Sequence, residues 1–333
     1  MFDSFTGIRA SGTDRGGFIR AWTVVLSALA LIIFFVALTP SLSMACACGC
    51  GVFAVATPSL LPMGAGGTVW TDWEYMRQYI DWHATTPASA GQNNDKKIET
   101  NFVNLGAQYM FDRSWGAMLE LPYWERNYKG AYVGNNDDIQ SHDFNSIGDI
   151  RLYGMYTGLS EDMSTGLLLG FKVPSGDWHY PKVDRDTQIG TGSTNLLLGA
   201  YKTGSLPFTL MERTPSWYIQ GLYDIPFLDQ DHYFPGREFD GSVGVDYDFG
   251  NVGPLTELAP ILSMLGSDRT RDQGANADFH DSGYDRIIVA PGLETAYKAL
   301  RVYFDIELPI FRNMNGYQLV NPFATKLIVS YNF

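Results

Sequence analysis

Three cysteines, Cys46, Cys48 and Cys50, fall within the stretch Cys46-Ala47-Cys48-Gly49-Cys50-Gly51, and the chain has no others. Thiolates at alternate positions among flexible glycines have the softness to hold Cu(I) or Zn²⁺. No nearby histidine completes a four-ligand set, however, and no Cys-x-x-Cys-His haem attachment occurs. Two readings stand beside metal or redox binding. One is lipid attachment at Cys46, against which Leu42 stands one position too far upstream; the other is a partly oxidised tail. A disulfide framework distributes its cysteines around a fold, so this cluster does not staple one.

The histidines, His83, His142, His179, His232 and His280, keep company with Asp143, Asp177, Asp231 and Asp281. None forms a His-x-His or helix-spaced pair, and polar loops explain them as well as a surface metal site does. The run Asn135-Asn136-Asp137-Asp138 likewise lacks the spacing of a Ca²⁺ loop. Ser141-His142-Asp143 has the residue types of a nucleophilic site, but adjacent positions cannot converge without help from other strands. With no Gly-x-Ser-x-Gly elbow and no zinc-protease motif, the sequence is read as a non-enzyme without a cofactor.

The charges that remain follow a different rule. Glu120, Asp149, Arg151, Lys172, Asp224, Asp246, Asp305, Glu307 and Lys326 fall on one parity of alternating segments, opposite apolar residues. In Val302-Tyr303-Phe304-Asp305-Ile306-Glu307-Leu308 the even positions are apolar, and the odd positions carry two carboxylates. A strand between lipid and a wet lumen requires this pattern, so these nine residues are expected to line a lumen. The set has both signs with an acidic excess, which orients dipolar solutes and disfavours anions. The opposite assignment, charges outward around a dry core, describes a soluble sandwich and leaves the aromatics near segment ends, such as Tyr109, Phe111, Trp115, Trp217 and Tyr331, without a role.

The elements that position these residues can be counted. Arg9, Arg15 and Arg20, a charge-free apolar run from 21 to 38 and the small-residue site Ser43-Met44-Ala45 read as a signal peptide over 1–45, with an uncleaved inner-membrane anchor as the alternative. Residues 46–66 are then a cysteine-containing periplasmic segment and 67–333 an outer-membrane barrel. Nineteen Tyr, 20 Phe, eight Trp and 35 Gly beside 18% charged residues favour strands and turns over soluble helices. The net charge of −13 leaves nothing to neutralise phosphates, so nucleic acid is excluded as a partner.

Alternating segments run near 68–83, 98–111, 115–127, 147–158, 165–174, 194–203, 216–226, 238–249, 257–266, 285–297, 301–311 and 321–333. Connections after odd segments are long, with 128–146 read as a loop, and most after even segments are short. The expected fold is all-β: a transmembrane antiparallel up-and-down barrel of about 12 strands with both termini in the periplasm. Its last strand, Leu327-Ile328-Val329-Ser330-Tyr331-Asn332-Phe333, stops on an aromatic, as segments recognised by the barrel-assembly machinery do. Pro122, Pro174, Pro226, Pro260, Pro291 and Pro309 within or beside segments are the main objection, since proline cannot donate to a ladder. Rim positions account for all but Pro291.

Gly148-Asp149-Ile150-Arg151-Leu152, Val173-Pro174-Ser175-Gly176-Asp177, Gly190-Thr191-Gly192-Ser193-Thr194-Asn195-Leu196 and Glu307-Leu308-Pro309 with Gln318-Leu319, in that order, resemble the outer-membrane transporters of the meta-pathway phenol-degradation family. The resemblance covers 148–333 and departs from the family pattern at Ser175, where Thr is expected, and in the cysteine cluster. It implies a barrel in outer-membrane lipid that takes up small, often aromatic or hydrophobic solutes by passive diffusion. The alternative is a scaffold barrel whose cysteine-bearing tail docks a periplasmic redox or metal-binding partner.

Overall fold

The computed structural model describes residues 45–46, 60–62, 64–89, 93, 95–132, 135–181, 183–274 and 277–333. Strands that are apolar on one parity must present their two faces to different surroundings, and closing the sheet on itself leaves no unpaired edge. Twelve antiparallel strands form such a closed wall. They are β1 (Gly66–Gln78), β2 (Asp95–Met110), β3 (Trp115–Tyr132), β4 (Ile150–Tyr156), β5 (Thr165–Val173), β6 (Thr194–Ser205), β7 (Ser216–Leu228), β8 (Glu238–Asp246), β9 (Glu257–Arg269), β10 (Tyr284–Tyr297), β11 (Leu300–Asn321) and β12 (Ala324–Asn332). Each pairs with its neighbours in sequence, and β12 closes on β1 in a register from Ala324↔Met76 to Asn332↔Thr68. Phe333 fastens the seam: its carbonyl accepts from the Gly67 amide at 2.8 Å and its amide donates to Gly67 at 2.9 Å.

One end of the wall carries the short connections. At 111–114 the Asp112 carboxylate turns the chain by accepting from the backbone amides of Ser114 (2.6 Å) and Trp115 (2.9 Å). The other end carries the long ones. There β11 bends at Gly316 (φ +68°), and its residues 317–320 pair with residues 80–83 of the strand Ile80–Ala84, while Ala84 pairs with Met314 before the bend. The segment 128–146, expected as a loop, is instead a ribbon: β3 runs on to Tyr132 and pairs with Asn135–Ile147, which takes no second neighbour in the wall. Beyond the apolar wall nothing requires one face to be apolar, so the ribbon lacks the alternation that marks a wall strand.

Four of the prolines, Pro122, Pro226, Pro291 and Pro309, sit where the ladder is interrupted or changes partner. Pro122 lies where β3 exchanges partners, between Glu120↔Arg151 and Tyr123↔Ile147. Pro309 adjoins the register shift at Ile287/Ile288 and Pro226 the one at Thr194/Asn195. Pro291 falls in a gap of the β10–β11 ladder, between Val289↔Leu308 and Gly292↔Asp305. Its missing N–H therefore breaks no bond to β11.

Outward positions are apolar along the wall, as at Leu105, Leu152, Leu169, Ile219, Leu262, Leu293 and Phe304, all exposed. Aromatic side chains gather at the short-connection end, where Tyr109 lies 5.7 Å from Phe111 and 6.4 Å from Phe333, and Trp115 lies 4.7 Å from Tyr156, centroid to centroid. An apolar belt edged by rings suits hydrocarbon meeting an interface.

Candidate functional site

Inward positions hold the charged residues in rows fixed by strand register. Asp305, Lys326 and Glu74 are directly opposite one another on β11, β12 and β1. The Lys326 Nζ lies 2.8 Å from Glu74 Oε1 and 3.2 Å from Glu307 Oε1. Asp305 accepts from the Tyr303 hydroxyl at 2.6 Å. A second row runs Glu120, Arg151, Lys172 and Asn195 across β3, β4, β5 and β6. Arg151 Nη1 is 3.8 Å from Glu120 Oε2, Lys172 Nζ is 3.2 Å from Asp224 Oδ2, and the Asn195 amide also donates to Asp224. Cross-strand neighbours of opposite sign thus pair along the wall.

Two of the nine candidates stand apart. Asp246 ends β8 opposite Ser216 at the short-connection end. Asp149 holds a loop: its carboxylate accepts from the Gly176 amide (3.1 Å), the Thr191 amide (2.9 Å) and the Thr191 hydroxyl (2.6 Å). Ser175 adds a second clasp, its hydroxyl donating to the Gly148 carbonyl at 2.9 Å and accepting from the Ile150 amide at 2.9 Å. The two ends of the loop touch backbone to backbone, so a Cβ on Gly190 would stand 2.3 Å from the Gly176 oxygen. The short motifs Gly148-Asp149, Ser175-Gly176 and Gly190-Thr191 are therefore one staple.

The stapled loop covers the lumen. Val183, Thr187, Gln188 and Ile189 are buried, and Arg126 donates to the carbonyls of Thr187 and Gln188. Arg185 stacks over Trp178 (4.0 Å) and Tyr233 (4.9 Å) and donates to the Gln230 carbonyl at 3.3 Å, linking this loop to the next. Burial lowers its guanidinium from the usual value, partly opposed by Tyr233, Asp231 and Asp149. Nearby, burial and the charge of Asp278 raise the Asp184 carboxyl. Beneath the loop lies a cavity of about 120 Å³, where Phe102, Trp124 and Leu222 stand beside Glu120, Arg151 and Lys172. Its mixture of apolar and charged walls is that of a small-molecule site, but its volume is below the usual range.

Sequence reasoning missed three things. Glu74 belongs to the first charged row and Asp72, opposite Ile328 and Asn104, lies one inward position along β1 from it, but both sit in Val69-Trp70-Thr71-Asp72-Trp73-Glu74-Tyr75, where both parities carry aromatics and hide the alternation. The lumen is also not uniformly polar: Tyr153, Leu197, Leu222, Leu265, Ile288 and Ala290 form one buried apolar cluster on β4 to β10. By ring order Leu222 on β7 lies opposite β1 and part of the apolar cluster faces the first charged row, while Ile288 and Ala290 on β10 adjoin β11 and the second charged row shares β4 to β7 with the cluster. Finally, residues 60–62 lie inside the barrel. Leu60 packs with Trp70, Tyr218, Ile261, Tyr303 and Ile328, and the Gln108 amide donates to its carbonyl at 2.8 Å.

Of the cysteines, only the backbone of Cys46 is described, opposite Val320. Cys48, Cys50 and residues 1–44 lie outside the described residues. Among the described residues no group of three or more His, Cys, Asp or Glu has the geometry to hold a metal ion. Strand alternation turns His142 away from Ser141 and Asp143, so those three do not converge.

A closed antiparallel barrel of twelve strands, apolar outside and ionic within, is a fold of bacterial outer-membrane proteins. The chain superposes on the COG4313 outer membrane channel from Pseudomonas putida F1 with a TM-score of 0.55 at 14% identity, covering 84% of this chain and 100% of that one. It superposes less closely on the β domain of the Bordetella autotransporter BrkA (TM-score 0.43, 12% identity, 80% and 100% covered) and on the P. putida toluene transporter TodX (0.38, 11%, 80% and 90%). No family model and no curated protein matches the sequence.

Proposed function

We propose that the protein is an outer-membrane channel that admits small apolar or aromatic solutes by passive diffusion, without covalent chemistry. The observation that carries this reading is the mixed surface of the lumen. An apolar surface of Tyr153, Leu222, Leu265 and Ile288 offers a path for a ring or alkyl body, while the Glu74–Lys326–Glu307 cluster engages polar substituents. The fold shared with a solved outer-membrane channel and the motif order that resembles the meta-pathway phenol-degradation family support the same function.

In this reading the short-connection end and the C-terminus face the periplasm, while Cys46, opposite Val320, lies toward the outer end and not in the periplasmic segment expected for 46–66; the signal peptide over 1–45 exports the chain, and the barrel-assembly machinery receives it through the strand ending at Phe333. Residues 60–62 then narrow the periplasmic mouth and the stapled loop roofs the outer one. The nine charged candidates act by screening and orienting solutes, with Asp149 positioning the roof. Purified protein in planar bilayers should give discrete conductance steps, and in liposomes it should pass small aromatic solutes faster than sugars of similar size. Silence in both assays across a solute panel would overturn the reading.

A further inference from the structure

The charged surface is not neutral within itself. Asp72, Glu74, Glu120, Asp305 and Glu307 face the lumen with two cations, Lys326 and Arg151, and each cation already has a partner: Lys326 binds Glu74 and Glu307, and Arg151 lies beside Glu120. Asp305 has the Tyr303 hydroxyl. Asp72 is only 8% exposed, and its Oδ1 accepts no hydrogen bond. Directly across the ladder stands Asn104, 7% exposed, whose Oδ1 also accepts none while its side chain bonds to Glu120. Two buried acceptors on directly opposed residues of neighbouring strands, one of them uncharged, thus have no hydrogen-bond donor among the described residues.

A buried acceptor pair beside excess negative charge calls for a donor that carries positive charge. We propose that Asp72 and Asn104 form an ammonium-binding site, and that the lumen takes aromatic solutes bearing a protonated amine. This rests on the reading of the barrel as a solute channel and names a class of solute for it. The chain supplies its own precedent, since Lys326 places an ammonium between Glu74 and Glu307 in the adjoining row. A metal ion fits less well, because no three carboxylates converge on one point among the described residues. Hydrogen bonds from an ammonium reach separate acceptors on adjacent strands, and the apolar cluster around Leu222 and Ile288 faces the body of the guest.

Calorimetric titration of the full purified barrel in detergent tests this with 2-phenylethylammonium, 2-phenylethanol, phenylacetate and KCl as probes. The amine should bind about tenfold or more tighter than the alcohol, the worth of one charge-assisted hydrogen bond, and phenylacetate weakest. Asp72→Asn and Asn104→Leu should each abolish the difference between amine and alcohol, with folding checked by the heat-dependent gel mobility of the barrel. Two separate variants guard against failure of either to fold. Equal affinities for amine and alcohol overturn the proposal, as does displacement of the amine by equimolar K⁺, which would mark an inorganic cation site. Amine-selective binding without flux of any solute supports the site and overturns the channel. Flux of the alcohol without amine selectivity leaves the channel and overturns the site.

Discussion

Lys326 shows how a buried charge is judged in this protein. Its side chain is 5% exposed and that of Glu74 1%, so removing the ammonium strands carboxylates that have lost access to water. Lys326→Met is therefore expected to destabilise the barrel by about 3–5 kcal/mol, the usual result of breaking one side of a buried pair. Arg213 and Asp248, 2.9 Å apart but 45% and 39% exposed in the connections at the short end, should contribute about 1 kcal/mol or less. Equilibrium unfolding in urea distinguishes the two, and a Lys326→Met barrel as stable as wild type would mean that the row is hydrated. In the 157–164 turn the Ser164 hydroxyl, the Ser164 amide and the Ser160 hydroxyl hold the Asp162 carboxyl down from the usual 3.8 to about 2. A depressed carboxyl stabilises above its unfolded value and loses that contribution as pH falls, here between about pH 4 and 2. The protection factor of the Thr165 amide, bonded to Ser160 Oγ at 3.1 Å, should fall through that window in wild type and be flat in Asp162→Asn.

At the scale of elements, how much could be read depended on whether lipid forces a face to be apolar. The wall strands were legible because Leu167, Leu169 and Phe171 alternate with Leu168, Gly170 and Lys172, and one register error would turn Lys172 toward hydrocarbon. The ribbon Asn135–Ile147 was not, since a polar hairpin and a polar loop have the same composition. Asp149 was read as a lumen-lining charge, and its role in the staple was hidden, because the three bonds it accepts come from residues 27 and 42 positions away. Leu60 carried no signal at all, for no periodicity marks a segment that enters a lumen. The staple makes a sharp prediction about the roof. Gly190→Ala would drive a Cβ to 2.3 Å from the Gly176 oxygen, releasing the loop while leaving the wall paired. Trypsin should then cut after Arg185, which wild type resists; resistance in the variant would show that Arg126 and Arg185 hold the roof without the staple.

The whole molecule reduces to a closed wall, a lumen of mixed surface and a closure at each end. Twelve strands at ordinary spacing and tilt give a wall about 24 Å across between backbones, which inward side chains nearly fill. Leu60 and Leu61, 6% and 7% exposed, occupy what space remains near the short end. Passage is then limited by this contact rather than by the wall, and a small apolar solute has the Leu222 and Ile288 flank to follow. The most direct test is the uptake rate of a neutral monoaromatic solute into proteoliposomes, measured for wild type and for the Leu60→Gly/Leu61→Gly double variant against protein-free vesicles. The channel account predicts measurable uptake in wild type and faster uptake in the double variant. Rates equal to protein-free vesicles for both proteins, with correctly folded barrels in the membrane, would contradict it.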